Sequence, residues 1–250
     1  MDLISPGQFS LVYNAFSFTI AVMGAATVFF FLSRSQLAPP YRTAITVTGL
    51  VTLIALYHYV RIFASWEGAY TLVDGTMKQT GAKFNDAYRY VDWLLTVPLL
   101  LVELILVMRL SAAETRAKAT KLGLLAALMV LLGYPGETAT DAGTRWTWWA
   151  LAMVPFAVIV YDLFIGLKSS IASQPKEARG LVSAARWLTV VSWMFYPLVF
   201  VFPMIGFTGG AATTAVQVGY TVADIIAKAA FGLLIYMIAA RKTEVETATR

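Results

Sequence analysis

The stretch GYTVADIIAKAAFGLLIY, residues 219–236, is apolar and long enough to enter a membrane, yet it carries Asp224 and Lys228 near its middle. Ionisable side chains are costly in hydrocarbon, and where they occur they face a cavity, a partner or a pathway. Asp224 and Lys228 lie one turn apart and share a helix face. The rest of the chain shows what else sits at that depth.

The 250 residues are 59% hydrophobic and 13% charged, with a mean hydropathy of +0.70. That balance lies outside the range of soluble domains and reads as an integral membrane protein. Apolar runs near the roughly 20 residues that cross a hydrocarbon core fall at about 9–32, 43–64, 87–110, 120–134, 146–167, 182–204 and 215–240. The fourth is short and is expected to extend back through ETRAKATKLG, while Gly133, Tyr134, Pro135 and Gly136 punctuate its end. No alternating strand pattern appears, and unpaired backbone cannot face lipid. The expected fold is therefore an all-α membrane protein, a seven-transmembrane-helix bundle forming a single domain over 1–250. The opening MDLISPGQFSLVYNAF has no basic n-region and no small-residue cleavage pattern, so no signal peptide is expected.

The formal charge of +5 does not point to nucleic acid, because the basic residues sit singly in short loops rather than in a patch. Arg34, Arg42, Arg109, Arg116, Lys118, Lys121, Lys168, Lys176, Arg179, Arg186, Arg241, Lys242 and Arg250 fall at one end of the bundle. Only Arg61, Lys78, Lys83 and Arg145 fall at the other. The positive-inside rule then puts the N-terminus outside and the C-terminus in the cytoplasm, for a multi-pass protein of the inner (plasma) membrane. The absence of cysteine excludes disulfides, thiolate metal sites and thiol catalysis. No metal site is expected either, since the single histidine, His58, has no second ligand in view. No Ser, His and Asp set suggests an enzyme.

The third apolar run, AYRYVDWLLTVPLLLVELILV, carries Arg89, Asp92, Thr96 and Glu103. Steps of three, four and seven residues keep the four on one stripe, with Asp92 and Glu103 roughly 16 Å apart along the axis. At mid-depth Lys228 and Arg89 balance Asp92 and Asp224. A buried ion network is a poor stabiliser in itself, which favours a proton or ion pathway over mere helix packing. The Thr96 hydroxyl can bond Asp92 or simply the carbonyl one turn back. His58, within LYHYVRIF, is by default a hydrogen-bonded core residue. Trp93, Trp193, Tyr196, Pro197 and Phe200 can be core, but Pro197 should bend the sixth helix and the aromatic rings offer flat apolar walls to a ligand.

RYVDWLLTVPLLLVE on the third helix, WMFYP on the sixth and ADIIAK on the seventh, together with YNAFSF, YHYVRIF, KFNDAYRYVDW, GYPGE and VQVGYT, resemble the microbial rhodopsins, specifically the proteorhodopsin and xanthorhodopsin-like branch. The resemblance runs over essentially the whole chain. It implies all-trans retinal bound to Lys228 as a protonated Schiff base, with Asp92 as primary counterion and proton acceptor and Asp224 as second counterion. It further implies Glu103 as the cytoplasmic proton donor, in apolar surroundings that keep it protonated until it is needed. By the same resemblance His58 pairs with the acceptor Asp92, Arg89 gates the outer half-channel, and Trp93, Leu100, Trp193, Tyr196, Pro197 and Phe200 line the retinal site. Leu100 goes with green absorption. Asp92, Thr96 and Glu103 match the pattern of outward proton pumps.

Two departures limit the resemblance. Relatives that carry a carotenoid antenna have a small glycine on the fifth helix, whereas aligning TRWTWWALAMVPFA by Pro155 puts Trp149 there, so no antenna is expected. The outer loop at 205–217 lacks the paired glutamates that haloarchaeal pumps use for proton release. Glu137 and Asp141 are surface residues or join protomer contacts in a homo-oligomer, a pentamer or a trimer. The leading expectation is a light-driven outward proton pump. The alternatives are a sensory retinal photoreceptor signalling through a partner and a seven-helix ion transporter without chromophore.

Overall fold

The computed structural model describes residues 4–85 and 87–248. Asp86, inside the KFNDAYRYVDW motif, and Arg250, counted above among the loop charges, lie outside the described residues. Among the described residues, seven helices are long and apolar enough to cross a membrane: α1 (Pro6–Gln36), α2 (Pro39–Ala69), α3 (Ala87–Met108), α4 (Ala112–Thr138), α5 (Ala142–Gly166), α6 (Lys176–Ile205) and α7 (Gly210–Ala248). Their starts are chemically marked. Ser5 and Gln8 form a capping box ahead of Pro6, Ser111 and Glu114 form another ahead of α4, and the Asp141 carboxylate accepts the Thr144 amide at the start of α5, each satisfying donors that a helix leaves open.

The helices pack in chain order, and α7 closes the bundle against α1, α2, α3 and α6. Over their most apolar windows α3 and α7 are 61% and 56% buried, against 22% for α4 and α5. The two helices that carry the intramembrane charges are thus the central ones. Aliphatic and aromatic side chains of α3, α4, α5, α6 and α7 form the main core, and a second cluster around Phe16, Tyr59, Trp66 and Met77 seals the opposite end of α1 and α2.

Three features differ from the sequence expectation. A hairpin, β1 (Tyr70–Val73) and β2 (Thr76–Gln79), joins α2 to α3 with Tyr70 opposite Gln79 and Val73 opposite Thr76. Its turn is Asp74-Gly75 with φ of 50° and 75°, the two-residue turn whose twist matches paired strands. That dipeptide was the legible signal. Second, α4 continues through Pro135 to Thr138 instead of ending among the turn formers Gly133, Tyr134, Pro135 and Gly136. Gly136 permits the packing, since a Cβ there would stand 2.9 Å from Trp148 Cβ and 3.0 Å from Phe200 Cζ. Third, α6 starts in the polar segment at Lys176, because a helix does not stop where its apolar run stops.

Candidate functional site

Asp92 and Lys228 meet across the interface of α3 and α7. The Lys228 ammonium donates to Asp92 Oδ2 in a very short contact and to Asp224 Oδ1 at 3.0 Å, with all three side chains buried. The backbone helps to aim the lysine. α7 widens into a π turn over Ile225–Ala230, which contains Lys228, a local irregularity found often at functional sites.

The two carboxylates are treated differently by their surroundings. Asp224 accepts from Tyr59 Oη at 2.7 Å, Tyr196 Oη at 2.7 Å and Trp93 Nε1 at 3.2 Å besides Lys228. Asp92 accepts from Lys228 alone, and its Oδ1 has no hydrogen-bond partner among the described residues. Three donors besides Lys228 support charge on Asp224 whatever Lys228 does. The charge on Asp92 depends on one cation.

An apolar cavity includes Lys228 in its lining. Trp93, Leu100, Trp193, Tyr196, Pro197 and Phe200, the expected lining residues, all face it, together with Asp224 and Trp149. Trp93 and Tyr196 meet edge to face at 5.0 Å. An apolar space with aromatic walls and a single amine in its lining fits a polyene aldehyde such as retinal, and the unpartnered Asp92 Oδ1 marks polar capacity left open beside that amine. Trp149 Nε1 donates to the Pro197 carbonyl at 3.0 Å, so the indole fixes the wall between α5 and α6 at the bend.

Arg89, 1% exposed, donates to Gln217 Oε1 at 2.6 Å and Tyr59 Oη at 3.3 Å, and its guanidinium lies over the rings of Phe16, Tyr59 and Tyr220. It sits one turn from Asp92 on the side of the hairpin, linked to Asp224 through Tyr59. At the other end of the stripe Glu103 is completely buried. Neither of its carboxyl oxygens has a hydrogen bond of good geometry among the described residues, and Thr48 of α2 is its polar neighbour.

His58 Nδ1 stands 4.0 Å from Asp92 Oδ1, outside hydrogen-bond distance, and lies 2.9 Å from the Ile54 carbonyl. Donation to a carbonyl requires the proton on Nδ1. The imidazole is thus beside Asp92 without bonding it. The Thr96 hydroxyl donates to the Asp92 carbonyl at 2.8 Å, the plain backbone alternative.

Tyr59, Gln217, Tyr220 and Tyr90 were not singled out in the sequence. Gln217, Tyr220, Asp224 and Lys228 recur every three or four residues, so extending the α7 stripe outward finds two of them. Tyr59 next to His58 carried no such signal. Tyr90 Oη reaches Glu137 at 3.5 Å, and Arg145 stands 3.8 Å from the same carboxylate, so Glu137 belongs to a polar link with Tyr90 and Arg145 beside the cavity.

A family model described as bacteriorhodopsin-like protein matches residues 12–242. The chain belongs to the bacteriorhodopsin-like family. The solved structure of xanthorhodopsin, titled a light-driven ion pump with dual chromophore, is similar at 51% identity and a TM-score of 0.95, with 99% of each chain covered. A thermophilic rhodopsin is similar at 46% identity and a TM-score of 0.95, over 98% of this chain and 99% of that one. The green-light absorbing proteorhodopsin of Gamma-proteobacterium EBAC31A08 is 29% identical over 234 residues, 92% of this chain and 88% of its own length. The motif resemblance therefore holds, and this rhodopsin is a multi-pass protein of the plasma membrane, mostly helical with seven spans.

Proposed function

We propose that this rhodopsin is a light-driven pump that moves protons outward, as one domain with its N-terminus outside and its C-terminus in the cytoplasm. Lys228 would hold retinal as a protonated Schiff base walled by the aromatic cavity, and the bound group would supply light absorption and a light-driven change of shape. The unequal hydrogen bonding of the two aspartates carries the reading. Asp92 is the proton acceptor, because a single cation balances it and Oδ1 is open to a proton. Asp224 stays charged under its three neutral donors and preserves the site's polarity throughout. Arg89 shields the outer side and releases its hold on Gln217 and Tyr59 when charge shifts. Glu103 is the donor, since a carboxylate without good hydrogen bonds in an apolar site bears the full cost of desolvation and the neutral acid does not. His58 acts on Asp92 as a near neighbour. Thr96 steadies the α3 turn between acceptor and donor through its backbone bond.

Leu100 on the cavity wall supports green absorption, and the Trp149 indole supports a site without a carotenoid antenna. A homo-oligomer, pentamer or trimer, is the expected assembly, with lipid and protons as the other partners. The deciding experiment is the pH of a weakly buffered suspension of cells that express the protein with retinal, recorded as light is switched on. Acidification abolished by a protonophore is the expected outcome. Coloured cells without any pH change would leave a sensory photoreceptor, and failure to bind retinal would leave a chromophore-free transporter.

A further inference from the structure

Lys242 is a buried cation that the pump cycle above does not use. It lies on α7 at 4% exposure, at the end of the bundle beyond Glu103. Its Nζ donates to the carbonyls of Val107 and Met108, each at 3.0 Å, and to Gln174 Oε1 at 2.8 Å. An ammonium has three donors, and all three are used. The two carbonyls belong to the last turn of α3, where a helix leaves acceptors without an intrahelical donor and where its dipole favours a cation. Gln174 is equally buried and lies in the connection between α5 and α6, where its Nε2 donates to the Ser170 carbonyl at 3.0 Å. One side chain therefore ties α3, α7 and the α5–α6 connection together.

A polar cavity lies beside this tie, at the end of the bundle away from Arg89, lined by Arg109, Ser111, Glu114, Ser173, Gln174 and Lys242 among others. The remaining titratable groups there are Tyr41 and Glu246. Arg109 pairs with Glu246 at 2.8 Å, Tyr41 donates to Glu246, and the Tyr41 ring lies 5.3 Å from Lys242 Nζ. On the inner side Val107 and Met108 are buried, and Val107 stands one turn from Glu103. The cavity is thus separated from Glu103 by one turn of α3 that Lys242 fastens.

We propose that this cavity is the port through which protons reach Glu103 and that Lys242 is its inner latch, whose bonds to Val107, Met108 and Gln174 must open before water can pass. The inference rests on the pump reading above. A proton that leaves Glu103 toward the centre of the bundle has to be replaced from the cavity side, and the fastened turn makes that entry the slow part of recovery. Lys242 is a positioning residue here and carries no proton itself.

The test compares native, Lys242→Met and Gln174→Leu proteins, loaded with retinal in liposomes, by flash excitation with a pH dye that reports proton release and uptake separately. Amide hydrogen exchange of the dark proteins without retinal is a second readout. Uptake is expected to become roughly five- to tenfold faster in both variants. Exchange should quicken over 107–112 and 170–176, with the absorption maximum and the release rate unchanged. Should Lys242→Met fail to fold, Gln174→Leu, which removes one of the three Lys242 bonds together with the bond to the Ser170 carbonyl, decides the matter. Uptake that is unchanged overturns the latch, and slower uptake overturns it in favour of a conducting role for Lys242. In both cases the native chain still pumps. A native chain that produces no light-driven pH change overturns the pump reading and the latch with it.

Discussion

Asp92 and Asp224 are the same side chain at similar depth, both bonded to Lys228, and their surroundings alone set them apart. Replacing Asp92 by Asn should keep the pigment and abolish light-driven acidification, because the acceptor is gone while Tyr59, Tyr196 and Trp93 still hold Asp224; cell-suspension pH recordings check this. Lys228→Ala should give no visible band with retinal. It should also destabilise the retinal-free protein by about 3–5 kcal/mol, since removing one partner leaves buried carboxylates uncompensated. Adding Asp92→Asn to Lys228→Ala should recover part of that loss, and thermal unfolding of the three proteins measures the coupling. Glu103→Gln should leave proton release intact and slow recovery about 10²-fold, the scale of a lost general acid or base. A dye-monitored flash experiment in which recovery stayed at the native rate would remove Glu103 from the donor role. The identities of these ionisable groups were legible in the sequence because charge in an apolar run is rare. The failure of His58 to bond Asp92 was not, since a ring rotation and a nearby Ile54 carbonyl decide it.

Among the helices, α7 shows how closely the elements must approach. A Cβ on Gly232 would stand 2.6 Å from Thr48 Cγ2 and 2.7 Å from Phe30 Cζ, so α1 and α2 leave no room for a methyl group there. Gly232→Ala should cost about 1–3 kcal/mol as an overpacked site. Because Thr48 is the polar neighbour of Glu103, it should also change the rate at which Glu103 recovers its proton. Unfolding midpoints and recovery kinetics measured on the same variant test both parts together, and native values for both would refute the close approach. Helix existence was plain from apolar length, whereas helix ends were not. Capping at Ser5, Ser111 and Asp141, the polar first turns of α6 and the continuation of α4 through Pro135 all lie beyond the apolar runs. The hairpin escaped a reading tuned to membrane spans, although Asp74-Gly75 announced it.

Across the whole molecule, the stripe from Arg89 through Asp92 to Glu103 lies along one central helix and gives the bundle a direction. On the proposed reading, the Trp149 indole, bonded to the Pro197 carbonyl, closes the wall between α5 and α6. An added carotenoid should therefore drive no acidification when light falls only in its own band, and an action spectrum of the pump checks this. A carotenoid peak in that spectrum would contradict the closed wall.

Hydropathy, charge placement and the spacing of Arg89, Asp92, Thr96, Glu103, Asp224 and Lys228 were enough to define a seven-helix membrane bundle with a charged centre, because hydrocarbon imposes its length and polarity rules on every span separately. Which aspartate holds four donors and which holds one, what lines the cavity, and which carbonyls Lys242 fastens depended on the tertiary structure. The decisive contacts join residues far apart in the chain, Tyr59 with Asp224, Asp92 with Lys228 and Val107 with Lys242, and no local rule of spacing or polarity records the distance between them.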